Sequence, residues 1–235
     1  MAVSNEHPTA RRDFIAQVAA AAVLAGTACA SPLVAATTTA DARRAARSDP
    51  AFDDSWTTRV SAAKHRAVFD SPQVDDGAAL EHVLTYLTGY HTQFGTTDAE
   101  VVPVLVMRHM GTMLAFNDDL WDKYEFGKTS KTKDPATGAD ARRNPFVRVV
   151  ESESQDFISA GAALPALRAR GVVLLACNRA LMGLAARQAK ARKLDVEMVR
   201  AEFRAGLLPG VVLQPSGIYA CLRAQEVGCG FIKSS

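Results

Sequence analysis

Apolar residues fall along this chain in two alternating rhythms. Short, nearly unbroken apolar runs cover residues 66–69, 101–107, 172–176, 210–213 and 229–232. Runs of four to eight apolar residues bounded by turn residues read as strands, and unbroken ones as strands buried on both faces. Between them the spacing changes to three and four. Leu80, Val83, Leu84, Leu87, Tyr90, His91 and Phe94 make one face of a helix over 76–94, closed by Gly95. The same spacing predicts helices over 113–124, 156–170, 178–193, 195–207 and 216–227. Gly171 and Gly228 follow two of them as caps. Pro103 argues mildly against pairing at the start of the second strand.

Strands alternating with helices predict an α/β fold: a single three-layer α/β/α domain on a mainly parallel sheet of about five strands. Two stretches break the rhythm. Residues 31–55 are small and mixed in charge and read as a linker, with a short helix near 41–47, so the domain runs from 56 to 235. Residues 127–150 carry six basic side chains and the turn 134–138. They read as an inserted, solvated loop, with a binding lid as the alternative.

The first thirty residues read as an address. Arg11-Arg12-Asp13-Phe14-Ile15 precedes a weakly apolar, alanine-rich stretch that ends at Ala28-Cys29-Ala30. Paired arginines, a short apolar region and an A-x-A site resemble a bacterial twin-arginine export signal. Cleavage is expected after Ala30 or after Ala36. The stretch is too short to span a bilayer, which takes ~20 apolar residues. The expected location is therefore periplasmic or otherwise exported, with no transmembrane segment in the mature chain.

Composition narrows the partners. Of 235 residues, 27 are basic and 25 acidic, a net charge of +2 that favours neither nucleic acid nor an anionic membrane. Beyond the signal three cysteines remain, Cys177, Cys221 and Cys229, so at least one thiol is free unless chains are bridged.

In open α/β sheets ligands bind beyond the carboxyl ends of the strands, near a switch in topology. That rule selects Asp70-Ser71, Arg108 to Gly111, Cys177-Asn178 and Gln214 to Gly217. Cys177 is the sharpest candidate, because a helix start favours thiolate, although buried cysteine often only fills space. His109 could assist it or simply hold the strand end. Asp70, Gly111, Asn178, Ser216 and Gly217 are the candidate ligand contacts. Ser216 also suits a plain helix cap, and Gly111 a plain turn. Met107, His109, Met110 and Met113 form a second constellation whose ligand types suit copper. Cys221, Cys229 and His91 read as core residues. No G-x-S-x-G elbow, P-loop, G-x-G-x-x-G or C-x-x-C occurs.

Three stretches taken in order, 171–181 (GVVLLACNRAL), 211–218 (VVLQPSGI) and 223–232 (RAQEVGCGFI), together with 104–111, resemble the DsrE/DsrF-like family over roughly residues 64–233. The resemblance implies a three-layer fold, homo-oligomers and, in some members, a cysteine that carries persulfide sulfur between a donor and an acceptor protein. Cys177 matches that cysteine. An export signal and an insertion at 127–150 depart from the family's usual pattern.

Overall fold

The structure is a computed structural model that describes residues 52–149 and 158–234. The expected export signal, nearly all of the linker and the start of the helix expected at 156–170 lie outside the described residues. Five strands form one parallel sheet: β1 His65–Ser71, β2 Val101–Met107, β3 Val173–Cys177, β4 Val211–Gln214 and β5 Gly230–Lys233, in the order β4-β3-β2-β1-β5. The expected α/β class and the sheet are thus present. β2 is buried along its whole length, as an unbroken valine-rich run requires when both faces are covered. Pro103 pairs with Ala67 of β1, while pairing with β3 begins one residue later, at Val104. The missing N–H is therefore accommodated at the end of one ladder.

Helices flank both faces, and alternate strand residues serve each one. Phe69, Leu105, Met107, Leu174 and Ala176 face the larger core. It is closed by α2 Ala78–Phe94, α3 Asp118–Lys123, α4 Phe126–Ser130, α5 Leu164–Ala169, α6 Asn178–Arg192 and α7 Val196–Ala205. Val68, Val104, Val106, Val173 and Leu175 face the smaller core, covered by α1 Trp56–Ala62 and α8 Gly217–Glu226. The helices joining β1 to β4 pack on the first face, and α8, joining β4 to β5, packs on the second. The connections leaving the neighbouring strands β3 and β4 therefore diverge to opposite faces, which is where such sheets open a crevice.

Three sequence expectations change. Residues 113–124 do not form one helix. A 3-10 turn, His109–Ala115, gives way to extended backbone at Phe116 and Asn117, and α3 starts afresh. The Asn117 side chain caps α3 by accepting from the Leu120 N–H at 3.1 Å. The described part of the segment 127–150, residues 127–149, is not a solvated loop. Phe126 to Ser130 is helical, and Thr132, Ala141, Asn144 and Phe146 are buried. The helix expected up to residue 170 is confined to 164–169, with Pro165 in its first turn. α1 had no counterpart in the sequence pattern.

Candidate functional site

The crevice between β3 and β4 holds a cavity of about 260 Å³. Its walls come from three strand ends. β2 supplies Arg108 and His109. β3 leads into Cys177 and the α6 residues Arg179, Gly183 and Arg187. β4 leads into Ser216, Gly217 and Ile218. The cavity is smaller than the ~300 Å³ at which sites for drug-sized ligands begin, so it fits a small solute.

Cys177 closes β3 and stands as the N-cap of α6. Its Sγ accepts the Ala180 N–H at 3.3 Å, satisfying one of the unpaired donors of the first turn. The residue is 6% exposed, and that exposure gives onto the cavity. Ser216 does the same for α8, its Oγ accepting from the Tyr219 N–H at 3.1 Å. Two helix starts therefore meet at one crevice, and both bring positive dipole ends to it.

Arg108 is anchored from below. Its Nε donates to Asp70 Oδ1 at 2.6 Å and its Nη2 to Oδ2 at 2.7 Å, a two-pronged pair with a nearly buried carboxylate. The bonds to Asp70 raise the guanidinium above its ordinary value, more than burial lowers it. Cys221 lies on the other side of the same carboxylate and donates its S–H to Oδ1 at 3.8 Å. Burial first, and Asp70 second, push that thiol up to about 12. Burial likewise takes Cys229 to about 11, against the nearby Arg66.

Glycine permits the close approaches. A Cβ on Gly217 would stand 2.3 Å from Cβ of Arg108, and one on Gly111 would stand 2.2 Å from the carbonyl oxygen of Ser71. The turn after β2 is stitched to the end of β1, with Arg108 N–H to Ser71 O and Gly111 N–H to Pro72 O, both 3.0 Å. Within that turn His109 takes φ 51°, in the left-handed region that non-glycine residues seldom occupy. It is exposed and borders the cavity.

Of the residues selected from sequence, Cys177, His109, Ser216 and Gly217 line the cavity together. Asp70 reaches it only through Arg108. Gly111 is packed under the strand ends, and half-buried Asn178 starts α6 with its Oδ1 buried and without a partner. The proposed copper set is spread over three environments. Met107 and Met113 are fully buried in the larger core, Met110 packs against that core beside Gln73 and Lys131, and His109 is at the cavity. His91 borders the core as expected, its Nδ1 3.1 Å from Nη2 of Arg170.

Sequence pattern marks Arg108 only as part of a strand-end segment, and marks Arg179 and Arg187 weakly. Its available signal was their spacing with Gly183, at four-residue steps after a strand end. No carboxylate lines the cavity among the described residues. The arrangement can hold an anion beside a thiol. No helix among the described residues is long and apolar enough to cross a membrane. Neither the family models, the curated proteins nor the solved structures contain a match to this chain.

Proposed function

We propose that this chain is an exported, DsrE-like protein that takes up sulfane sulfur as a persulfide on Cys177 and hands it to an acceptor thiol. One observation carries the reading. Cys177 lines a cavity that is cationic and lies at the carboxyl-end crevice. Cys221 and Cys229 are buried to the same degree, and burial pushes both thiols toward their protonated form.

The chemistry needs a thiolate, a donor and an acceptor. The Cys177 thiolate attacks the donor's sulfane sulfur. An S–S bond forms at Sγ, the donor's own bond to that sulfur breaks, and its remainder leaves with the electron pair. The persulfide anion that results stays at the α6 N-terminus, whose dipole end favours negative charge. Transfer onward is the same displacement by the acceptor's thiolate, which returns Cys177 unchanged. His109 shares the cavity wall and can take or return the thiol proton.

Self-association belongs to the same reading. Ile218 and Leu222, four residues apart on α8, are 67% and 56% exposed, and Phe231 on the edge strand β5 is 48% exposed. Large exposed apolar side chains on a helix face and a sheet edge left unpaired among the described residues are surfaces that a second copy would cover. The paired Arg11 and Arg12 support export by the twin-arginine route.

The test is cyanolysis. Protein exposed to a sulfane-sulfur donor and freed of it should release thiocyanate on addition of cyanide, one per Cys177. Equal release from Cys177→Ser would refute the assignment.

A further inference from the structure

The groups around the thiol specify the charge and size of its donor. Arg179, Gly183 and Arg187 recur at four-residue steps on α6, so they share one helix face, and that face is a wall of the cavity. Gly183 supplies space rather than flexibility. Nη1 of Arg187 lies 3.6 Å from where a Cβ on residue 183 would stand, so the side chain reaches back one turn toward Cys177. Arg108 closes the opposite side, aimed by its two bonds to Asp70.

Arg179 and Arg187 differ from several other surface arginines. Arg142, Arg192, Arg200 and Arg223 each pair with a carboxylate. Arg179 and Arg187 have no ion pair or hydrogen bond with any described side chain, although both border the cavity. Guanidinium groups without a counter-ion among the described residues, gathered at a concave site, are suited to the oxygens of a small multivalent anion. A neutral sulfur donor would leave that charge unused.

Resting on the persulfide reading, we infer that the donor is a compact sulfur oxyanion of the thiosulfate class. Its sulfonate end is held by Arg179, Arg187 and the free side of Arg108, and its sulfane sulfur is turned to Cys177. The step balances without a further reagent. The thiol proton leaves to solvent and the thiolate attacks the outer sulfur. The Sγ–S bond forms, the S–SO3 bond breaks, and sulfite departs with the electron pair. A thiolate and a dianion repel each other, and the arginines offset that repulsion in the approach and hold the departing charge.

The test compares thiosulfate with dimethyl trisulfide, an uncharged donor that modifies a thiolate by expelling methanethiolate. The readouts are the mass added at Cys177 and, for thiosulfate, the sulfite released. Thiosulfate should load the protein with one sulfite released per sulfur. Arg179→Ala combined with Arg187→Ala should slow that loading by at least about tenfold, and leave the trisulfide reaction within about threefold. Gly183→Leu, a better helix former that fills the same space, should slow thiosulfate loading by at least about tenfold in a folded protein. If the trisulfide modifies Cys177 while thiosulfate does not, or loads the arginine variant equally fast, the oxyanion assignment is overturned and the persulfide reading survives. If neither donor modifies Cys177, both fall.

Discussion

Asp70 holds Arg108 by both oxygens, at 2.6 and 2.7 Å, across the carboxyl ends of two adjacent strands. Asp70 is 5% exposed, so the pair is a fixed fork rather than a surface contact. It joins the buried base of the crevice to its cationic wall. Asp70 is thereby a positioning residue. Asp70→Asn keeps the shape and removes the charge that Arg108 answers. A loss of about 2 kcal/mol is expected in urea unfolding, because a partly buried cation is left without its counter-ion. Sulfur loading should slow as well, and Gly217→Ala, which drives a methyl into Arg108, should slow it too. Unchanged loading in both variants would remove Arg108 from the site.

The three thiols should separate by reactivity. Iodoacetamide at pH 8 is expected to label Cys177 first in the native protein, because Cys221 and Cys229 hold their protons up to about 12 and about 11. Peptide mapping after partial labelling reads the order. Labelling of Cys221 before Cys177 would contradict the site.

The same raised values set an alkaline limit on stability. The unfolded chain releases these protons near the ordinary value of 9.0, whereas the native protein retains them. Stability is therefore full below pH 9 and falls as pH climbs toward 11 and 12. Cys221→Ala should make that fall shallower in urea melts taken between pH 8 and 11. An identical slope would show that the thiol is not held as the burial implies.

Asn144 should be among the most costly polar residues to remove. Its Nδ2 donates to the carbonyls of Leu114 at 3.0 Å and Phe116 at 2.7 Å, and its Oδ1 accepts from the Phe146 N–H at 3.1 Å. Asn144→Ala strands three buried backbone groups, with an expected loss of about 3 kcal/mol. A change below about 0.5 kcal/mol would mean that segment 127–149 packs independently of the turn after β2.

The proposed export route depends on Arg11 and Arg12. Arg11→Lys with Arg12→Lys should leave the precursor unprocessed and inside a bacterial host, judged by fractionation and mass. Normal processing would point to the general secretory route instead.

The sheet was legible because its strands are apolar runs that need no distant information, and β2 is the clearest case. What failed had a tertiary cause. The helix read over 113–124 breaks because Asn144, thirty residues away from Leu114, satisfies the carbonyls that the break exposes. The basic composition of 127–149 points to solvation, yet Phe146 packs on Trp121 with ring centres 6.1 Å apart. Cys177 and His109 were reachable from the strand-end rule. Arg179 and Arg187 are marked only by their four-residue spacing with Gly183, because a charged residue on a helix is solvated by default, and the neighbouring strand β4 reveals that this face borders a crevice.

The central claim is that Cys177 carries sulfur, and the intact mass of the mature, non-reduced protein tests it most directly. Spectra would be taken before and after exposure to thiosulfate or polysulfide, for the native sequence and for Cys177→Ser. The account predicts a gain of about 32 Da per sulfur in the native protein and none in the variant. The starting mass also reports whether cleavage follows Ala30 or Ala36. An unchanged mass with the Cys177 thiol still free would contradict the account and make Cys177 a packing residue at the end of β3.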